Sequence, residues 1–312
     1  MCATCGCSAS ARPLITSLQT GEALGLHEHG HAHGAGHEHD HSHPQGHDHS
    51  HPHAHGHAHH EPTTSHAGAA SLVALERHLL EKNDKLAERN RGWFLGRGIL
   101  ALNLVSSPGA GKTSLLERTL RDLKGELVIG VIEGDQETLN DAERIRATGA
   151  NVVQINTGTG CHLDAEMLAR GLDTLNPPLD SVVMIENVGN LVCPALFDLG
   201  EHCKVVIASV TEGEDKPLKY PHMFRASELM ILNKIDLLPY VEFDVQKCLD
   251  AARRVNPDIE ILQVSATRGD GLEAVYAWLR RRVLAQPGQT AKRSQTAQPG
   301  QTAQPGQTAR PA

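Results

Sequence analysis

Between residues 99 and 284 the chain alternates short apolar runs with stretches whose apolar residues recur every three or four positions. The runs at 99–105, 127–132, 152–155, 182–185, 205–210, 229–232 and 259–264 are predicted strands. Helical spacing predicts helices over 113–123, 139–148, 164–172, 245–255 and 272–284. One more helix is predicted at 71–91, where Leu72, Leu75, Leu79 and Leu86 stand in a charged background. Strands that are apolar along nearly their whole length are covered on both faces, and strand–helix alternation makes them mostly parallel. The expected fold is therefore α/β, a mostly parallel sheet flanked by helices, occupying residues 71–284.

Outside that span the periodicity vanishes. Residues 1–8 hold Cys2, Cys5 and Cys7, and 16 His lie between His27 and His60, commonly as His-x-His. The segment 27–66 has too little apolar surface to fold alone and is expected to be disordered without metal. Residues 285–312 repeat Gln-Pro-Gly-Gln-Thr-Ala, a low-complexity tail to which we assign no function. Aromatic residues are 3%, so the core must be aliphatic. No basic stripe offsets the net charge of −8, which argues against a nucleic-acid partner. No run reaches the roughly 18 apolar residues of a membrane helix, and no basic region precedes an apolar run near Met1. A cytoplasmic location is the expectation, and there a cluster of thiols in a chain with an odd number of Cys points to metal binding or redox chemistry rather than disulfides.

Ser106-Ser107-Pro108-Gly109-Ala110-Gly111-Lys112-Thr113 follows an apolar strand and opens a helix. Small residues at such a turn let backbone N–H groups approach phosphates. Gly109, Ala110, Gly111 and Ser114 are the expected cradle, Lys112 neutralises charge, and the Thr113 hydroxyl reaches Mg²⁺. Ser106 stands where the phosphate-loop pattern has its first Gly. After another strand comes Asn233-Lys234-Ile235-Asp236, the N-K-x-D order that selects guanine. A carboxylate at Asp236 accepts from two guanine nitrogens, a pairing that adenine lacks. Ser265 and Ala266 resemble the loop that supports the base. Between these motifs, Glu186 ends a strand with Gly189 three residues on, which suits a Mg²⁺-shell carboxylate and a γ-phosphate sensor. Asp135, ending another strand, is a candidate for orienting the attacking water or a Mg²⁺-bound water. Lys112, Asp135 and Glu186 are thus the candidate catalytic residues. Asn190 rather than Gln follows Gly189 and no arginine finger is identifiable, so slow intrinsic GTP hydrolysis is expected.

Cys2-x-x-Cys5-Gly6-Cys7 packs three soft ligands into six residues and suits nickel, zinc or copper(I). With Met1 removed, the Cys2 amine could complete a planar site, which Ni(II) favours over Zn(II). The His tract suits storage of Ni(II), Zn(II) or Cu(II), with no single His privileged. A third candidate is Cys161, His162 and Cys193: two sulfurs and an imidazole, one ligand short of a tetrahedron. Cys203, Cys248, His202 and His222 are expected to be structural, and His78 to lie on a helix surface.

Together the Cys tip, the phosphate loop, residues 186–194, Thr211-Glu212-Gly213-Glu214-Asp215-Lys216-Pro217 and Asn233–Asp236 resemble the hydrogenase-maturation GTPase HypB family. The resemblance implies a SIMIBI-type P-loop GTPase that binds GTP, Mg²⁺ and Ni²⁺ or Zn²⁺. It also implies a tight nickel site at Cys2, Cys5 and Cys7 and a weaker nickel or zinc site at Cys161, His162 and Cys193. The partners it implies are a HypA-type nickel metallochaperone, the hydrogenase large-subunit precursor and a second copy in a GTP-promoted homodimer. Some members carry two further His on the helix after Cys161-His162, where this chain has Glu166 and Arg170. A urease-maturation or cobalamin-enzyme GTPase would share the nucleotide motifs but not the Cys tip. A nickel store with a vestigial GTPase would not need Lys112, Thr113 and Asp236 intact. A small-metabolite kinase would show neither metal dependence nor guanine preference.

Overall fold

A computed structural model of the chain describes residues 14–20, 23–25, 66–136 and 140–286. Cys2, Cys5, Cys7, nearly all of the His tract and nearly all of the tail lie outside the described residues. Nine strands form one sheet: β1 (Leu14–Ser17), β2 (Ala23–Gly25), β3 (Leu100–Ser106), β4 (Ile129–Asp135), β5 (Asn151–Asn156), β6 (Val182–Glu186), β7 (Cys203–Ser209), β8 (Ser227–Asn233) and β9 (Glu260–Gln263). Their order is β2-β1-β5-β4-β6-β3-β7-β8-β9. From β5 to β9 every pairing is parallel, whereas β1 runs antiparallel to both β5 and β2.

The seven predicted strands all form, with their ends displaced by no more than three residues. The strands β1 and β2 were not foreseen, and they lie outside the expected span 71–284. In β1 only Ile15 is buried, while Leu14 faces out, so the segment offers a period-2 signal of a single residue. It joins the sheet through backbone ladder bonds to β5 rather than through an apolar face.

Helices cover both faces. Alternation along β3 sends Leu100, Leu102 and Leu104 to one side, where α2 (Lys112–Asp122), α3 (Asn140–Arg146) and α9 (Leu272–Leu284) pack on them. Ala101 faces the other way, toward α1 (His66–Arg97) and α4 (Ala165–Leu175), and Val105 toward α7 (Pro221–Ala226) and α8 (Val245–Val255). The four-residue helices α5 (Cys193–Leu196) and α6 (Lys216–Lys219) complete the helices of the described residues; like α7, they were not foreseen. Among the described residues no helix is long and apolar enough to cross a membrane.

The helix α1 extends past both expected ends. Of the leucines that signal it, Leu79 is 43% exposed. Asn83, Ala87, Asn90 and Phe94 face the domain instead. The Asn83 amide donates to the Asp198 carbonyl (2.7 Å) and accepts from the Ala165 N–H (3.0 Å). Asn90 donates to the Ala165 and Leu199 carbonyls at 2.9 and 3.0 Å. A buried polar stripe is tolerated here because each amide finds backbone partners. The helix stops at Gly98, whose φ of +64° lets the Ile99 N–H reach back to the Phe94 carbonyl.

Candidate functional site: a phosphate cavity joined to a thiol–imidazole cluster

The carboxyl ends of β3, β4 and β6 open onto a cavity of about 480 Å³. Ligands of open α/β sheets bind at such strand ends. Gly109, Gly111, Lys112, Thr113 and Ser114 line it from the phosphate loop, Glu133, Gly134 and Asp135 from β4, Glu186 and Gly189 from the end of β6, and Lys234 from beyond β8. Gly109 and Gly111 have φ of +75° and +95°, backbone that favours glycine, and Gly111 directly precedes the first turn of α2. Ser106 fills the place of the absent glycine with a purpose of its own: its hydroxyl accepts from Lys112 Nζ at 2.9 Å and donates to the Ser107 carbonyl at 2.6 Å.

Asn233 braces the loop. Its Nδ2 donates to the Ala110 carbonyl at 3.0 Å, and its Oδ1 accepts from the Ala266 N–H at 3.2 Å. Lys234, at φ +64°, arches back so that Nζ donates to the Gly109 carbonyl at 2.6 Å. The two sequence motifs, 123 residues apart, are therefore one structure. Ser265 is buried and its hydroxyl accepts from the Arg268 N–H, shaping the loop that carries Ala266. Asp236 lies on the 3₁₀ turn Ile235–Tyr240, half-buried, just past the brace.

Buried charge concentrates beside Thr113. The Thr113 hydroxyl donates to Glu186 Oε1 at 2.7 Å. Burial pushes the Glu186 carboxyl up to about 7, against the pull of Lys112, and pushes Glu133 up to about 9 with help from Glu186. Burial also lowers the Lys112 ammonium from its ordinary value. Glu186 Oε2 and Glu133 Oε2 are buried with no hydrogen-bond partner among the described residues. Orphaned carboxylate oxygens next to a phosphate-loop hydroxyl are the donor set of a hard divalent cation, so Thr113, Glu186 and Glu133 fit Mg²⁺. Glu133 was not among the expected site residues, although the run Ile132-Glu133-Gly134-Asp135 carries a charge inside an otherwise apolar strand.

Seven residues beyond Glu186, the chain reaches Cys193, 1% exposed at the start of α5. Its Sγ lies 3.2 Å from Cys161 Sγ, which is 3.6 Å from His162 Nδ1. All three donor atoms fall within 4.8 Å of one another. Asp164 caps α4 by accepting from the Met167 N–H at 2.7 Å, so Cys161 and His162 sit on the loop entering that helix. Burial holds the His162 imidazole down to about 4, and its ring lies 4.0 Å from that of Phe197. A neutral imidazole beside two thiols is a soft donor set for Ni(II) or Zn(II). Glu166 and Arg170 pair with each other at 2.6 Å instead of joining the cluster. Cys203 and Cys248 are buried in the core, where burial pushes their thiols up to about 12 and about 11.

The nucleotide-binding domain of the family described as CobW/HypB/UreG matches residues 100–263, just over half the chain. Hydrogenase maturation factor HypB of Escherichia coli K12 is 58% identical over 225 residues, covering 70% of this chain and 77% of that protein. The HypB of Rhizobium leguminosarum bv. viciae is 61% identical over 208 residues, covering 67% and 70%. This chain belongs to the HypB family of P-loop GTPases. A crystal structure of HypB from Archaeoglobus fulgidus superposes with a TM-score of 0.61 at 39% identity, covering 65% of this chain and 99% of that one. HypB from Helicobacter pylori, solved in complex with nickel, gives a TM-score of 0.61 at 37% identity, covering 65% and 95%.

Within this HypB-family domain the two clusters share one stretch of chain, residues 186–193. At its start Glu186 bonds the phosphate-loop threonine, and at its end Cys193 meets Cys161. Arg144, also unforeseen, lines the phosphate cavity while held by Glu117 and Asp141 at 2.7 and 2.8 Å.

Proposed function

We propose that this chain is a GTP-hydrolysing metallochaperone that binds, stores and delivers Ni(II) for insertion into the [NiFe]-hydrogenase large subunit. In this reading Gly109, Ala110, Gly111, Lys112, Thr113 and Ser114 cradle the phosphates. Thr113 and Glu186 hold Mg²⁺, which supplies charge neutralisation when bound. Lys112 stabilises charge on the phosphates, and Asp135 orients the attacking water. Asn233, Lys234, Asp236, Ser265 and Ala266 select guanine, and Gly189 senses the γ-phosphate. Hydrolysis by the isolated protein is slow, so the nucleotide acts as a switch.

Cys161, His162 and Cys193 hold the delivered Ni²⁺, or Zn²⁺ in its stead. Cys2, Cys5 and Cys7 form the tighter site, and the tract at 27–66 stores surplus ions. GTP promotes a homodimer in the cytoplasm, which receives nickel alongside a HypA-type metallochaperone and passes it to the large-subunit precursor. The observation that carries the reading is the shared segment 186–193, bonded to Thr113 at one end and to the thiol–imidazole cluster at the other. If it moves with the γ-phosphate, metal affinity changes with nucleotide, and bound metal must alter GTP affinity by the same coupling free energy.

Equilibrium dialysis of Ni(II) on the full chain and on a variant lacking residues 27–66 tests it. Several ions on the first and about one or two on the second are expected, in line with the soft Cys donor sets. A second protein that keeps no nickel would overturn delivery in favour of storage alone.

A further inference from the structure

Two asparagines tie the Cys161–His162 loop to the segment after β6, and they tie it unequally. Asn187 is 2% exposed. Its backbone N–H donates to the Leu104 carbonyl at 3.0 Å, and its Nδ2 donates to Asn103 Oδ1 at 3.2 Å. Its Oδ1 accepts from the N–H groups of Leu163 (3.2 Å) and Val188 (3.0 Å). Asn103 is itself fully buried on β3, donating to Glu201 Oε1 at 3.0 Å, and Glu201 is ion-paired with Lys204. Leu163, the neighbour of His162, is thereby anchored to the centre of the sheet.

Three residues later the attachment is lighter. Asn190 is half-buried. Its Oδ1 accepts from the Val192 N–H at 2.8 Å, closing a local turn, and its Nδ2 donates to the Cys161 carbonyl at 3.2 Å. Between the two asparagines, Gly189 lies against the phosphate loop so closely that a Cβ would come within 3.1 Å of Pro108 backbone atoms. A displacement of Gly189 by phosphates therefore starts beyond the anchored Asn187 and carries Asn190 and Cys193 with it.

We propose that Asn187 and Asn190 are positioning residues of the metal cluster, one a fixed strap and the other a releasable one. Asn187 keeps the Cys161–His162 loop on β3 in every nucleotide state. The bond from Asn190 to the Cys161 carbonyl decides whether Cys161 and Cys193 close on one ion, and it breaks or forms as Gly189 moves. This rests on the nucleotide-coupled reading above and names the residue through which the coupling passes. One neutral hydrogen bond changes affinity by roughly three- to tenfold, enough for a switch.

The test uses the full chain with Cys2, Cys5 and Cys7 changed to Ser, so that thiolate-to-Co(II) charge-transfer absorption reports Cys161 and Cys193. A metal buffer sets free Co(II) independently of the His tract, and affinity is read with GDP and with a non-hydrolysable GTP analogue. Asn190→Asp keeps the acceptor for Val192, loses the donor to Cys161 and adds a negative charge, which raises cation affinity in both states alike and so drops out of the ratio. It should bring the ratio of the two affinities to within about twofold of one, where the parent shows the roughly three- to tenfold difference of one hydrogen bond. Asn190→Ser, whose hydroxyl still accepts from Val192 but cannot reach Cys161, should do the same. Asn187→Asp, which keeps both acceptor bonds and loses the donor to Asn103, should weaken Co(II) binding in both states and leave the ratio standing. Melting curves confirm that each variant is folded. A parent ratio of one would defeat the coupled reading and the straps with it. A parent ratio above threefold that either Asn190 variant preserves would overturn the straps alone.

Discussion

The phosphate cavity and the thiol–imidazole cluster sit at opposite ends of residues 186–193, yet they are built from opposite chemistry. The cavity gathers Lys112, Glu133, Glu186 and Asp135 at strand ends, with two carboxyls pushed up to about 9 and about 7 by burial. Such a group of oxygens suits a hard cation. The cluster gathers two sulfurs and an imidazole that burial holds down to about 4, hence neutral at ordinary pH. Soft donors discriminate against Mg²⁺, whereas carboxylate oxygens suit it. The contrast teaches how one short segment can border two donor sets of opposite character: hard oxygens at one end, sulfur and imidazole at the other.

The largest expected effect tests whether the two ends are separable. Lys112→Ala removes the buried ammonium that bonds Ser106, and GTP hydrolysis should fall by about 10²- to 10³-fold, the loss typical of one preorganised charge-stabilising donor. Co(II) binding at Cys161, His162 and Cys193 without nucleotide should stay within about twofold, since only the resting cluster is then read. Phosphate release and charge-transfer absorption measure the two; a joint collapse would mean that the halves are not independently built. Next comes Asp236→Ala, which deletes an acceptor for two guanine donors. GDP affinity should drop by at least about 100-fold, two hydrogen bonds to a charged group being worth about 1.5–3 kcal/mol each. Calorimetry with GDP and ADP should show the preference for guanine shrinking by the same factor.

From the metal side, Cys193→Ser replaces a thiolate donor by a hydroxyl of nearly equal size. Loss of an outer-shell partner already costs about 10- to 100-fold in metal affinity, so loss of a direct donor should cost at least about tenfold. Binding of GDP with Mg²⁺ should remain within about twofold, because Glu186 and Thr113 are untouched. Titration of Co(II) and of a fluorescent GDP analogue separates the outcomes, and a matched loss of nucleotide would sink the division of labour drawn here.

How much of this was legible in the sequence divides along the same line. The phosphate loop and the guanine motif could be read because each is contiguous and its backbone conformation demands particular residues, as with Gly111 at φ +95°. Cys161 and Cys193 could be suspected from chemistry, but their 3.2 Å approach across 32 residues belongs to the fold. The amides that organise the site were illegible. Asn83, Asn90, Asn103 and Asn187 are buried polar residues whose worth depends on partners, backbone and side chain, brought to them by distant chain. Apolar periodicity scores them as interruptions; in α1 it picks out leucines, of which Leu79 lies 43% exposed, and passes over Asn83 and Asn90. Only Asn103 left a hint, as the lone polar residue in the interior of the β3 run.

The smallest expected effect asks how tightly the guanine motif is locked to the phosphate loop. Gly109 and Gly111 both have positive φ, so an alanine at either costs about 1–2 kcal/mol of stability for the left-handed backbone alone. Around Gly109 a Cβ meets no heavy atom within 4 Å, and Gly109→Ala should stop at that cost. At Gly111 a Cβ would lie 2.5 Å from Asn233 Nδ2. Asn233 is 1% exposed and bonded to both Ala110 and Ala266, so it cannot yield without giving up one or both bonds. Each such bond is worth about 1 kcal/mol, which sets Gly111→Ala about 1–2 kcal/mol below Gly109→Ala in a urea unfolding series. Since the displaced side chain belongs to the guanine motif, Gly111→Ala should also erode the preference for GDP over ADP, which Gly109→Ala should leave unchanged. Equal stabilities and equal preferences in the two variants would show the brace to be slack, and the two halves of the nucleotide site to be neighbours rather than one unit.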